Sequence, residues 1–243
     1  MRTIIVLLFL VLFLVLSLPF LGIEWIIARF NRRATDLPQL RVVQWAFSVI
    51  VWLSGVKLTV VGEENVPKDE PVLYIPNHRS YFDIIITYAR CPGRTGYISK
   101  DVLKKVPILS IYMERLYCLF LVRDDMRQGM KVILTAIDHI KEGISICVFP
   151  EGTRNKDHEH PENLAPFKEG TFKIATKTGC KIVPMAILGT DNILEAHMPW
   201  IRPAEVTIVY GKPIDPKALD KETQKHLGAY VQEIVQGMIC ENL

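Results

Sequence analysis

In the segment Leu73-Tyr74-Ile75-Pro76-Asn77-His78-Arg79-Ser80-Tyr81-Phe82-Asp83 an apolar run ends at Pro76, polar residues crowd together, and a second apolar run begins at Ile84. The pattern reads as a strand, a turn and the start of a helix. Ser80 with Asp83 three residues on has the offset of a helix-capping pair, with Asp in place of the preferred Glu. His78 then stands on the turn just outside the helix, and Asp83, in the first helical turn, folds back towards its imidazole. A carboxylate on one ring nitrogen fixes the tautomer, supports the imidazolium and leaves the other nitrogen as a base. The chain has no G-x-S-x-G elbow, and the nearest serine, Ser80, is claimed by the cap. The proton such a base removes therefore comes from a substrate hydroxyl. A His and an Asp five apart are equally at home in a capped turn that does no chemistry.

A second cluster shifts that balance. Phe149-Pro150-Glu151-Gly152-Thr153-Arg154 comes straight off the apolar run 144–149. Gly152 permits a tight turn with exposed backbone N–H groups, candidates to steady an oxyanion, and Arg154 offers a bidentate anion fork. Thr153 adds a hydroxyl donor. Glu151, beside a cation, is expected to stay ionised and to orient Arg154 or the substrate. Two more cations stand at the ends of short apolar runs, Lys100 after 96–99 and Arg123 after 118–122. Strand ends are where open α/β sheets gather ligand-binding groups. Lys100, Arg123 and Arg154 near a base suit a phosphate-bearing acceptor, although each alone also reads as a solvated surface charge. The segment Asp157-His158-Glu159-His160 has metal-binding residue types, but it lies in a polar, Pro-bounded stretch and reads as a solvated loop.

These residues need a scaffold. From Lys57 onward, apolar or β-branched runs at 57–61, 72–76, 118–122, 144–149, 182–188 and 205–210 alternate with helical-period stretches at 129–140, 168–178 and 218–239. This alternation predicts a single α/β domain over 57–243 with a mixed, largely parallel sheet flanked by helices.

Residues 1–56 read differently. Ile4 to Phe20 contains only Ser17 and Pro19 as non-apolar positions, and the apolar character continues to Ile27. A spanning helix needs roughly 20 such residues, and Glu24-Trp25-Ile26-Ile27-Ala28-Arg29 is poor signal-cleavage chemistry, so an uncleaved anchor is expected. Arg29, Arg32 and Arg33 follow the stretch, against Arg2 before it, which predicts a cell-membrane protein with its domain on the cytoplasmic side. The run 42–53 is too short to span. It carries Trp45 and Trp52 on one helical face, as fits a helix at the interface or one packed on the domain. The two segments together form a membrane-docking pair, by a span or a re-entrant hairpin.

Composition narrows the classes further. The 243 residues are 49% hydrophobic and 23% charged, so the chain is globular with a sizeable core. A net charge of +3 is too weakly basic for nucleic acid but compatible with anionic lipid. The five cysteines are scattered without CxxC spacing, which excludes a disulfide framework and a cysteine metal site.

In their order these motifs resemble those of the glycerophospholipid acyltransferases, most closely the bacterial 1-acylglycerol-3-phosphate acyltransferases. The N-H-x-x-x-x-D block is matched by Asn77, His78 and Asp83, and the Lys-x-x-Leu-x-x-x-Pro block by Lys100, Leu103 and Pro107, ending at Arg123. The F-P-E-G-T-R block is residues 149–154 unchanged, and an apolar strand around a proline is Ile182-Val183-Pro184-Met185-Ala186. Ser110 and Tyr117 stand where the family often has glycine. The resemblance implies that His78 is the base and Asp83 orients it. Lys100, Arg123, Glu151, Gly152, Thr153 and Arg154 then bind the phosphate of lysophosphatidic acid. Acyl-CoA or acyl-carrier protein is implied as co-substrate, with no metal or redox cofactor. Another lysophospholipid or lyso-ornithine lipid as acceptor, a lipid hydrolase, and a non-catalytic membrane-remodelling protein are the alternatives.

Overall fold

The computed structural model describes residues 1–122 and 125–243; Arg123, expected among the phosphate-binding cations, lies outside the described residues. Three helices open the chain: α1 (Arg2–Leu16), α2 (Leu18–Phe30) and α3 (Arg33–Ser54). The expected single anchor helix is two helices, bent by 42° at Ser17. Pro19 has no N–H to donate back to the preceding turn, so the first ladder stops and the second begins with proline in its first turn. Among the described residues no single helix is long and apolar enough to cross a membrane, whereas the bent pair together passes that test. The stretch expected to run from 42 to 53 is the second half of α3. One side, with Val43, Ala46 and Ile50, is buried, while Trp45 and Trp52 stand exposed on the other. The helix thus packs on the domain along one side, and its tryptophans lie on the other.

The rest is a seven-stranded sheet of β1 (Lys57–Val61), β2 (Leu73–Pro76), β3 (Thr95–Lys100), β4 (Leu119–Leu121), β5 (Ser145–Cys147), β6 (Ile182–Leu188) and β7 (Glu205–Tyr210), ordered β1-β7-β6-β2-β5-β3-β4. Every neighbouring pair is parallel except β6 with β7. The helices between strands are α4 (Tyr81–Tyr88), α5 (Leu109–Arg115), α6 (Met126–Lys141) and α7 (Glu169–Thr178); α8 (Lys221–Lys225) and α9 (Leu227–Glu241) close the chain. The helical pattern expected unbroken over 218–239 restarts after His226, where the Glu169 carboxylate accepts the Gly228 N–H and caps α9.

Alternation along the strands divides the molecule into two cores. Leu73, Ile75, Ile146 and Val148 face α6, α7 and α9, while Tyr74, Cys147 and Phe149 face α4 and the N-terminal helices. Strands buried on both faces explain why these runs are apolar throughout instead of alternating. Val6, Leu21, Leu40 and Val43 share the second of those cores, so residues 1–54 pack onto the sheet as a continuous layer. Phe13 stacks on Tyr112 and the buried Glu24 pairs with Arg115 at 3.5 Å, joining α1 and α2 to α5.

One departure from the family pattern has a backbone cost. Tyr117 follows α5 with φ +62° and sits at the left-handed position of a helix end, where the Cys118 N–H bonds back to the Met113 carbonyl. Glycine is the usual residue there because a side chain is strained. Tyr117 is held in place by its hydroxyl on Asp36 at 2.7 Å and by Arg32 over its ring. Replacing it by glycine relieves the strain and replacing it by alanine does not, although both lose those contacts. Tyr117→Gly is therefore expected to be more stable than Tyr117→Ala by about 1 kcal/mol in chemical denaturation.

Candidate active site

The central strand β2 ends at Pro76, and the next seven residues carry the candidate base. Asn77 is fully buried and continues the strand with its side chain, its amide donating to the Ile187 carbonyl at 2.9 Å and its oxygen accepting the Ile187 N–H at 2.7 Å. This clasp locks the chain to β6 just before it turns. Ser80 caps α4, accepting from the Phe82 N–H, and Asp83 reciprocates by accepting the Ser80 N–H at 2.8 Å. The capping pair expected from the sequence is present.

Asp83 does more than cap. The same Oδ2 accepts His78 Nδ1 at 2.8 Å and the Arg79 N–H at 2.7 Å, and its Oδ1 accepts the Thr190 hydroxyl. With both oxygens engaged and no solvent exposure, the carboxylate has one available orientation. His78 stacks on Phe149 at 4.0 Å between centroids, so the ring is fixed at its edge and on its face. Since Nδ1–H donates to the carboxylate, Nε2 is left as the basic nitrogen.

His78 lines a cleft of about 280 Å³ at the C-terminal ends of β2, β3, β4 and β5. Lys100, Tyr81, Thr153 and Arg154 line it with polar groups; Ile84, Ile98, Leu103, Leu121, Val148 and Phe149 form an apolar wall. A base, cations and an apolar surface thus share one cavity, which suits a substrate with an anionic head and a hydrocarbon body.

The expected phosphate-binding residues separate into two groups. Lys100, Gly152, Thr153 and Arg154 line the cleft, with Lys168 Nζ close to Gly152 as a further cation beside the loop. Glu151 does not touch Arg154. Its carboxylate is buried and accepts the His78 N–H at 2.7 Å and the Ala165 N–H at 3.1 Å, so it braces the catalytic turn from beneath. Burial pushes its carboxyl above the ordinary carboxylate range, and those two N–H bonds offset only part of that rise. Gly152 takes the turn at φ +73°, but its N–H bonds to the Phe149 carbonyl at 3.0 Å and is not free to meet an oxyanion.

Three residues in the connection from β6 to β7 escaped the sequence reading. Thr190 holds Asp83, Asp191 holds Arg79 at 3.0 Å, and Glu195 holds Ser80, Tyr81 and Arg154. Thr190 and Asp191 directly follow a strand, the same signal that picked out Lys100. Glu195 lies farther from the strand and has no such signal. The expected solvated loop at 157–160 is also tethered: His158 Nδ1 meets Asp191 at 2.6 Å, and Arg79 donates to the Asp157 carbonyl. Burial opposes the charge on Asp191, but the bonds from His158 and Arg79 outweigh it and hold the carboxyl below its ordinary range. Among the described residues no group of three or more His, Cys, Asp or Glu side chains is arranged to hold a metal ion.

The Asn77 clasp gives a direct test of this scaffold. Asn77→Ala strands the buried N–H and carbonyl of Ile187, each at about 1–3 kcal/mol. Equilibrium denaturation is expected to report a loss of about 2–4 kcal/mol on the same basis.

Comparison with known proteins agrees with the geometry. The Acyltransferase family model matches residues 57–188. A protein of Borreliella burgdorferi described as a 1-acyl-sn-glycerol-3-phosphate acyltransferase is 30% identical over 188 residues, covering 76% of this chain and 72% of that protein. One from Chlamydomonas reinhardtii with the same description is 35% identical over 163 residues, 66% of this chain and 47% of its own length. The chain thus spans about half the length of that relative and about three quarters of the Borreliella protein. The crystal structure of the 1-acyl-sn-glycerophosphate acyltransferase PlsC from Thermotoga maritima superimposes with a TM-score of 0.78 at 27% identity, covering 99% of this chain and 97% of that one. The matched span runs from β1 to the end of β6 and carries the His78–Asp83 turn and the loop after β5; the chain belongs to the acyltransferase family.

Proposed function

We propose that this chain transfers a fatty acyl group from acyl-CoA or acyl-carrier protein to the free sn-2 hydroxyl of lysophosphatidic acid, giving phosphatidic acid. The observation that carries this reading is His78, its Nδ1 held by a buried carboxylate, in the same cleft as Lys100, Arg154 and an apolar wall. The names of the relatives support the same acceptor.

In this scheme the acceptor hydroxyl gives its proton to His78 Nε2 as its oxygen attacks the thioester carbonyl. The C–O bond forms, the tetrahedral intermediate collapses with cleavage of the C–S bond, and the imidazolium returns the proton to the leaving thiolate. Asp83 stabilises the imidazolium between those steps. Lys100 and Arg154, with the Thr153 hydroxyl, bind the phosphate and place the hydroxyl at the base. Arg123 belongs to the same set on the strength of the sequence motif. The reaction is an acyl substitution without net oxidation, so it requires no redox cofactor. A serine hydrolase would need a free hydroxyl beside His78, and the Ser80 hydroxyl is committed to Glu195 at 2.5 Å.

The exposed apolar faces of α1 and α2, with Ile4, Leu8, Trp25 and Phe30, and the exposed Trp45 and Trp52 of α3 support docking on a bilayer. Arg29, Arg32 and Arg33 favour the cytoplasmic leaflet of the cell membrane.

Two measurements test the proposal. In vesicles supplied with a thioester donor, the chain is expected to acylate lysophosphatidic acid in preference to lysophosphatidylglycerol or lyso-ornithine lipid. His78→Ala is expected to lower kcat by about 10²–10⁴ and to leave vesicle binding unchanged; near-normal activity would remove His78 as the base. Lys100→Ala is expected to raise the KM for lysophosphatidic acid about tenfold with little change in kcat, the mark of a group that binds ground and transition states alike.

A further inference from the structure

Arg154, the cation proposed to read the acceptor's phosphate, is not a free surface side chain. Glu195 stands in a short 3-10 turn (Glu195–His197) in the connection from β6 to β7. Its Oε1 accepts Arg154 Nη1 at 2.9 Å and also the Tyr81 N–H at 2.9 Å, while Oε2 accepts the Ser80 hydroxyl at 2.5 Å. The Glu195 side chain is only 9% exposed, against 32% for Arg154. The Tyr81 ring lies beneath the guanidinium, 3.8 Å from its centroid. The guanidinium is therefore gripped at one edge and on one face, and the remainder of its donor fork is left for the cleft it lines beside His78 and Lys100.

We infer that Glu195 is a positioning residue that aims Arg154 at the acceptor's phosphate and ties that cation to the helix start carrying Asp83. The inference rests on the proposed acyl transfer to a phosphate-bearing lysolipid. One carboxylate contacts Ser80 and Tyr81, at the start of the helix whose third residue is Asp83, and the arginine in the facing loop. The distance between the phosphate-reading cation and the base is thereby set by a single group. An unheld arginine would have to lose its rotamer freedom each time substrate bound; a held one has lost it on folding. The negative charge of Glu195 also acts in the opposite direction, since it subtracts one charge from a site that attracts an anion. The two effects have opposite signs in the KM for the acceptor, and that sign decides between them.

The test is steady-state kinetics with lysophosphatidic acid on Glu195→Gln, Glu195→Asp, Arg154→Gln and the Glu195→Gln/Arg154→Gln pair. Glu195→Gln is expected to raise the acceptor KM about 5–10-fold with kcat within about twofold of wild type, because it weakens ground-state and transition-state binding together. In the Arg154→Gln background the same change is expected to add nothing to KM, as the group it positions is gone. Glu195→Asp keeps the charge but draws the carboxylate back by one methylene, so KM is again expected to rise. A fall in KM for Glu195→Gln would show that only the charge matters. A loss of kcat at unchanged KM, equal with and without Arg154, would reduce Glu195 to a helix cap. Either result overturns the inference, as does an unchanged KM in Glu195→Asp, which also serves if Glu195→Gln does not fold. Failure of the wild-type chain to acylate lysophosphatidic acid at all would instead overturn the reaction on which the inference rests.

Discussion

The carboxylate of Asp83 organises the catalytic end of this molecule. It accepts the imidazole of His78, the backbone N–H groups of Arg79 and Ser80 and the hydroxyl of Thr190, all with no exposure to solvent. A buried carboxylate is costly unless its oxygens are hydrogen-bonded, and here the bonds come from the chain that must be shaped. The turn after β2, the first turn of α4 and the exit from β6 all converge on this one side chain. The His78 imidazole is thus oriented by a group that cannot rotate without breaking the local fold, which keeps the geometry in place before any ligand arrives.

The connection from β6 to β7 extends this arrangement outward. Thr190 meets Asp83, Asp191 meets Arg79 and His158, and Glu195 meets the start of α4 and Arg154. Farther on, the Ile201 N–H bonds to the Thr3 hydroxyl in the first turn of α1. One stretch of chain therefore touches Asp83, Arg154 and the helix with the exposed apolar face. The antiparallel placement of β7 makes this possible, because the chain leaves β6 on the catalytic side of the sheet and must cross that side before returning.

Much of the fold was visible in composition and periodicity. Runs apolar at every position become strands covered on both faces, and that pattern is hard to produce in any other way. The bend at Ser17 was harder to see, because the apolar character continues across Pro19 without change. The full length of α3 was missed for the opposite reason. Its first half carries buried polar residues such as Asp36, whose partners, Tyr117 and Arg94, come from distant segments. Tyr117 itself shows how a residue that looks wrong for its position is tolerated once those partners are in place.

By itself the sequence determined the local geometry of the candidate site. The His78–Asp83 spacing, the cap at Ser80 and the F-P-E-G-T-R block are local, and local hydrogen bonds within a turn are decided by residue types a few positions apart. Only the tertiary structure decided what each carboxylate does. Glu151 reads as a neighbour of Arg154 along the chain but turns inward to the His78 backbone, whereas the partner of Arg154 is Glu195, forty-one positions away. A charge finds its counter-charge in space, and the folding of β6 beside β2 set those distances.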